Sequence, residues 1–337
     1  MMLTYDLCFW HKADMRAARS ALSEKLTSVA VITRREFACL VVYSLKGIRS
    51  KHDHRWSVNN RNLYISALSA GFNAKILTSL NSASIDNSME SFFSSTANCL
   101  VRWQDLPGSG TPLIFVHGLG CASSYEYPLI ATDPRFNKRR AILIDLPGCG
   151  YSEKPRDYSY SITDQASVVA ELVRYLGLNK CFIYGHSMGG SISIEAAGLI
   201  TNRIEGLVVS EPNFRPGGGF FSRQICSHSE EEFINKHWKQ MIENESGPWA
   251  GSLAVDAPWA VWRGASSLIA GGDWLERFIK LPVRKQLIFG EWSLPDDDVD
   301  YLVKSGISTV ILDDCGHCMS WEQPGYLSLA LSNFVGE

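Results

Sequence analysis

The chain has 337 residues, 45% hydrophobic and 20% charged, with a formal net charge of −3. A chain of this length can bury one or two full cores, and its composition excludes collagen-like, coiled-coil and wholly disordered classes. The best apolar stretch, Ala38 to Leu45, is eight residues long and follows Arg34, Arg35 and Glu36. No membrane span is therefore expected, and the charge balance offers no basic footprint for nucleic acid.

The charge is unevenly spread. Residues 1–88 hold 12 Lys and Arg against 6 Asp and Glu, whereas residues 89–337 hold 20 against 29. Gly, Ser and Asn punctuate the first segment from Gly47 onward, and Ser79 to Ser95 is a polar, Ser/Asn-rich stretch. No period of two or of 3.6 persists there. The expectation for 1–88 is a poorly structured extension or a miscalled start, with translation beginning at Met89. It contains no continuous apolar segment followed by a small-residue cleavage site, so no secretory signal is read. Nine cysteines, an odd number, suit free thiols in a reducing cytoplasm.

From Cys99 the order of elements is legible. Cys99 to Trp103 reads as a short strand, and Pro107 to Gly110 as a turn. Pro112 to Val116 and Arg140 to Ile144 are continuous apolar runs of strand length, which suit parallel strands buried on both faces. Thr163 to Leu176 shows helical spacing, with Val168, Val169, Leu172 and Leu176 on one face, Asp164 near its start and Gly177 after its end. A strand at Cys181 to Tyr184 precedes a helix from Met188 to Ile200. Ile204 to Val209, Gln286 to Phe289 and Thr309 to Leu312 read as strands, and Tyr326 to Phe334 as the last helix. This alternation implies an α/β domain over 89–337, mainly a parallel sheet flanked by helices. Residues 213–282 interrupt it. They hold Trp238, Trp249, Trp259, Trp262 and Trp274, half of all the tryptophans. They are expected to form a small helical cap over the ligand-binding edge of the sheet, with an apolar, aromatic-lined pocket.

The chemistry is concentrated in a few motifs. Gly185-His186-Ser187-Met188-Gly189-Gly190 follows a strand and opens a helix, the setting of a Gly-x-Ser-x-Gly nucleophile turn. Glycine is needed on both sides because a side chain there would strike the neighbouring strand and helix. A neutral serine needs a base. His317, directly after the last strand, is the candidate. His117-Gly118-Leu119-Gly120 follows another strand, and the backbone N–H groups of Leu119 and Met188 are placed to hold a developing oxyanion.

With Asp145-Leu146-Pro147-Gly148-Cys149-Gly150-Tyr151-Ser152 and Gly316-His317, these motifs resemble the α/β-hydrolase superfamily over residues 99–337. The resemblance implies that fold, with Asp145, Tyr151 and Ser152 shaping a turn. It is weak on substrate, because the superfamily includes esterases, lipases, C–C hydrolases and perhydrolases. Serine at 187, not aspartate, argues against the mechanism of the dehalogenase and epoxide-hydrolase branches. The commoner family pattern puts the third acid where this chain has Ser293. Two alternatives stay open. Glu211 follows the strand Ile204–Val209, as in some branches, and is favoured. Asp296 or Asp297 could instead reach back to His317, although these also read as a helix start. Cys315 and Cys318 have redox or zinc spacing, but their place after a final strand, with no further ligands in view, disfavours it.

The resulting expectation is a cytoplasmic serine hydrolase. It cleaves a small, fairly apolar carboxylic ester through an acyl-enzyme, with Ser187, His317 and Glu211 catalytic and no metal or organic cofactor. A C–C bond hydrolase on the same residues and a non-catalytic ligand receptor are the alternatives.

Overall fold

The computed structural model describes residues 89–336, so the expectations for 1–88 lie outside the described residues. Eight strands form one sheet: β1 (Met89–Ser94), β2 (Cys99–Leu106), β3 (Ser109–Val116), β4 (Arg139–Asp145), β5 (Cys181–His186), β6 (Ile204–Ser210), β7 (Arg284–Gly290) and β8 (Ser308–Leu312). Their order is β1-β2-β4-β3-β5-β6-β7-β8. β1 and β2 pair antiparallel, β2 joins β4 antiparallel, and all later pairs are parallel. The expected α/β architecture, a mainly parallel sheet between helices, is what the chain adopts.

The apolar runs work as anticipated. Alternate residues of each strand enter two separate cores, because successive side chains point to opposite faces. Ile114, Val116, Ile142, Ile144, Ile183, Leu207, Val209 and Leu287 face the helices Ile162–Tyr175, Met188–Leu199 and Trp274–Lys280. Leu113, Phe115, Ala141, Leu143, Phe182, Tyr184, Val208 and Ile288 face the helices Pro128–Ala131 and Pro324–Gly336. Ile183 is fully buried. Its truncation to Ala would cost about 2–5 kcal/mol, the lost transfer energy plus the cavity.

One element departs from the sequence reading. The end of the polar 79–95 stretch is a strand, β1, held from outside its own sequence. Glu171, on the helix Ile162–Tyr175, accepts hydrogen bonds from Ser95 Oγ (2.6 Å), Thr96 N (3.0 Å) and Thr96 Oγ1 (2.8 Å) in the β1–β2 turn. The long connection between β6 and β7 is helical, running from Phe220–Ile225 through Pro258–Ala270 to Trp274–Lys280. It is pinned to the 145–152 turn by Ala257 N to Gly148 O (2.8 Å) and by Gly150 N to Asp256 Oδ1 (3.0 Å).

Candidate active site

Ser187 occupies the turn between β5 and the helix Met188–Leu199 with φ 53° and ψ −122°, a backbone region that L-residues rarely adopt. The turn is crowded on both sides. A Cβ at Gly185 would lie 2.3 Å from Gly189 O, and one at Gly189 would lie 2.3 Å from Val116 O. Ser187 N donates to Ser210 O (2.9 Å), which fastens the turn to the end of β6.

Glu211 is the next residue, itself at φ 39°. Its Oε1 accepts from Gly290 N (3.0 Å), and its Oε2 lies 2.7 Å from His317 Nδ1. The Ser293 hydroxyl is a further polar neighbour that favours the charged carboxylate. Burial works to raise the Glu211 pKa, but the bond and charge of His317, with the Gly290 N–H and the Ser293 hydroxyl, hold it below the usual carboxylate value. Glu211 is therefore an acceptor only, so in the neutral His317 ring Nδ1 carries the proton and Nε2 the lone pair. Burial lowers the His317 pKa, but the Glu211 bond and charge, with Glu126 and Glu322, bring it above its ordinary value. The His317 side chain remains 43% exposed, open to a small molecule, whereas Glu211 is 7% exposed.

The loop carrying His317 is tied on three sides. Asp314 N donates to Glu291 (3.1 Å), Gly316 N to Glu322 (2.8 Å), and Trp292 N to Cys315 O (2.9 Å). The His186 and His317 ring centroids lie 4.6 Å apart. Burial and the His317 charge push His186 down to about 3, so it stays neutral, with Nδ1 against Ser210 Oγ (2.9 Å). Ser210 Oγ also meets Tyr184 Oη (2.9 Å).

The loop after β3 comes to the same place. A Cβ on Gly118 would touch the Ser187 Cβ at 3.4 Å. His117 Nε2 accepts from Leu146 N (3.0 Å), which leaves Nδ1 to donate to Gly118 O (2.9 Å). The Leu119 and Met188 side chains both lie beside Gly264, 3.3 and 3.2 Å from where a Cβ would stand. Trp249 Nε1 donates to Leu119 O (3.2 Å) and so holds the Leu119–Gly120 peptide, the one after that carrying the Leu119 N–H.

The other residues singled out in the sequence take structural posts. Asp145 accepts from Ser124 N (2.9 Å) and Tyr151 N (3.0 Å), and Ser152 Oγ donates to Asp145 O (2.6 Å). Asp296 caps the helix Asp297–Lys304, accepting from Asp298 N and Val299 N, and Asp297 is exposed. The Cys315 thiol is pushed up to about 12, chiefly by burial, and holds no reactive thiolate. Four of the five tryptophan N–H groups of the β6–β7 connection are tied down. Besides Trp249, Trp259 donates to Tyr160 Oη, Trp262 to His228 O and Trp274 to Glu195. They brace the connection as much as they could line a pocket. Sequence reasoning missed Ser210 and buried Glu126, whose partners His186 and Ser320 are remote in sequence.

A family model described as "Alpha/beta hydrolase family" matches residues 113–328. The chain is 37% identical over 112 residues to the dihydrolipoyllysine-residue acetyltransferase component of an acetoin cleaving system from Pseudomonas putida, a match covering 32% of this chain and 29% of that protein. It is 34% identical over 125 residues to haloalkane dehalogenase 2 of Mycobacterium tuberculosis, covering 36% and 43%. The matches span less than half the length of these curated relatives. Among solved structures, a thermophilic esterase from Thermogutta terrifontis superposes with a TM-score of 0.63 at 20% identity, over 74% of this chain and 98% of that one. The N-acyl homoserine lactonase AidH gives 0.58 at 19%, over 74% and 97%. At such identities the structures speak to the fold alone. The family model extends over well more than half of the residues, from β3 to the final helix, and the chain belongs to the alpha/beta hydrolase family.

Proposed function

We propose that the protein is a serine hydrolase cleaving a small, fairly apolar carboxylic ester through an acyl-enzyme. The observation that carries this reading is the 2.7 Å Glu211–His317 pair beside the Ser187 turn. In this reading His317 Nε2 takes the Ser187 proton as Oγ attacks the ester carbonyl. Glu211 holds the imidazole in the required tautomer and stabilises the imidazolium. The Leu119 and Met188 N–H groups receive the oxyanion, with the positive end of the 12-residue helix Met188–Leu199 behind Met188. The alcohol leaves with the proton from His317, and water activated by the same imidazole then releases the acid. Residues 213–282 act as a cap that shapes the acyl and alcohol sites. A cytoplasmic location belongs to this reading and is supported by the seven free cysteines among the described residues.

The test is hydrolysis of p-nitrophenyl esters from acetate to octanoate by the wild type and by Ser187→Ala. Turnover with a chain-length optimum, abolished in Ser187→Ala, supports the proposal. No turnover of any ester, with Ser187 still labelled by a fluorophosphonate, overturns the ester assignment in favour of C–C bond hydrolysis. No labelling at all leaves a ligand receptor on this fold.

A further inference from the structure

The β6–β7 connection holds a second group of chemistry-bearing side chains, separate from Ser187, Glu211 and His317. His228, Glu232 and His237 each present one ligand atom, and these atoms lie within 4.8 Å of one another. The two imidazoles are stacked face to face, with 3.6 Å between centroids and 12° between planes. His228 Nδ1 stands 3.9 Å from Glu232 Oε2.

The backbone accounts for this convergence. Ser229 Oγ accepts from Glu232 N (3.2 Å) and caps the helical turn Glu230–Glu232. His228 precedes that cap, with its carbonyl held by Trp262 Nε1 (3.0 Å). The next turn, Phe233–His237, is a π-helix. A π-turn is wound i→i+5, which brings a residue five positions along back towards the face it started from. His237, five after Glu232, thus returns to the face that carries Glu232. In an α-helix, where neighbours on one face are three or four apart, it would turn away. Such π-turns occur often at functional sites.

The surrounding charges leave the donors available. Glu230 is taken by Arg263 (2.7 Å), and Lys236 takes the Oε1 side of Glu232 (3.3 Å), so Oε2 remains on the His228 side. Two imidazoles and a carboxylate oxygen suit zinc, copper or nickel, whereas calcium and magnesium favour all-oxygen shells.

We propose that His228, Glu232 and His237 form a binding site for a divalent transition-metal ion of the zinc class. Three protein ligands leave one coordination position for water. Zinc takes its ligands at about 2.0–2.2 Å. Binding therefore requires the two rings to turn out of their parallel stack until one nitrogen of each aims at a shared point. The side-chain exposures of 34% for His228 and 41% for Glu232 leave room for that turn. The ion would clip the start of the segment to its π-turn.

The test is titration of the full chain with Zn²⁺ by calorimetry and with Co²⁺ by visible absorption, beside His228→Ala, His237→Ala and Glu232→Gln. Outer-shell partners alone alter metal affinity about 10–100-fold. The expected result is therefore one ion per wild-type chain and binding weaker by at least about tenfold in each variant. The Co²⁺ complex should lack a thiolate charge-transfer band, and Zn²⁺ should raise the wild-type Tm. The proposal is overturned if the wild type binds no ion, if all three variants bind as the wild type does, or if a thiolate band assigns the ion to cysteine.

Discussion

Ser293 stands near the Glu211 carboxylate and helps to lower its pKa, from the position where the commoner family pattern carries the acid itself. A neutral hydroxyl on the β7 loop thus supports an acid on the end of β6. Glu211→Gln keeps the shape, but Gly290 N–H claims its one amide oxygen, so an NH2 donor faces His317 Nδ1 and the tautomer is no longer fixed. We expect kcat/KM to fall by about 10³–10⁴. Ser293→Ala should cost less than about tenfold, since Gly290 N still holds Glu211. Glu211→Ala combined with Ser293→Asp should recover part of the loss. Initial rates on the preferred p-nitrophenyl ester check all three, and equal losses in Glu211→Gln and Ser293→Ala would contradict the division of roles.

The pH dependence follows from the same pair. His317 must be neutral to act as base, and its pKa lies above the ordinary 6.5 despite burial because Glu211 favours the charged form. Activity should fall on the acid side along a limb centred above pH 6.5, and Glu211→Gln should move that limb to lower pH. For stability the signs differ. The raised histidine contributes fully below pH 6.5 and is lost as pH rises through its folded pKa. The lowered Glu211 contributes above the ordinary 4.5 and is lost as pH falls through its folded pKa. The Tm advantage of wild type over Glu211→Gln should therefore peak between pH 4.5 and 6.5. A flat difference would refute the coupling.

Gly189→Ala should be among the most damaging single-methyl changes. Its Cβ would stand 2.3 Å from Val116 O and 2.4 Å from His117 O, both backbone atoms. The turn and the loop after β3 must separate, which displaces Ser187 relative to Leu119. Thermal unfolding should show a lower Tm, and the soluble fraction should not react with a fluorophosphonate at the wild-type rate.

Trp249→Phe retains an aromatic ring but deletes the N–H that holds Leu119 O. The loss loosens the Leu119–Gly120 peptide, one unit beyond the proposed Leu119 N–H donor, so kcat should drop by no more than about tenfold, below the 10²–10³ seen when a direct oxyanion donor is removed. KM should change little. A kcat equal to wild type would mean that the loop after β3 holds the Leu119 N–H without the indole.

Asp256 is buried, and burial pushes its carboxyl well above the ordinary 3.8. Its folded form holds a proton that the unfolded chain gives up, so stability is lost as pH rises from 3.8 through the folded pKa. Asp256→Asn keeps an acceptor for Gly150 N without that penalty. Calorimetry at pH 8 should show a higher Tm, by roughly 2–4 °C for each kcal/mol recovered, and no gain at pH 4.

Much of this molecule could be read without coordinates, for definite reasons. Strands such as Pro112–Val116 are buried on both faces and so advertise themselves as unbroken apolar runs, and the Ser187 turn demands glycines at fixed spacing. β1 was hidden because what holds it lies elsewhere in the chain: its pairing with β2, Phe92 against Trp103 and Tyr175, and Glu171 beneath the β1–β2 turn. The choice between Glu211 and Asp296 or Asp297 stayed open in the sequence because all three are acids near strand ends. The structure sets Glu211 against His317 and spends Asp296 on a helix cap. The grouping of His228 with His237 was equally invisible, since a separation of nine residues fits no helical repeat until one turn is known to be wound as a π-helix.

Ser210, next to Glu211 in the chain, joins the Ser187 main chain and the His186 ring into one piece of sheet. The long β6–β7 connection touches the loops after β3 and β4, through Trp249 on Leu119, Ala257 on Gly148 and Asp256 on Gly150. It also grips the helix that follows Ser187, through Trp274 on Glu195 and Asn213 O on Ser191 Oγ. The connection is thus divided: its middle can be rewritten against the loops, whereas its two ends are fastened to the helix beneath Ser187. In the proposed reading, new specificities are to be sought around Trp249 and Asp256, and changes at Asn213 or Trp274 would disturb Ser187 itself.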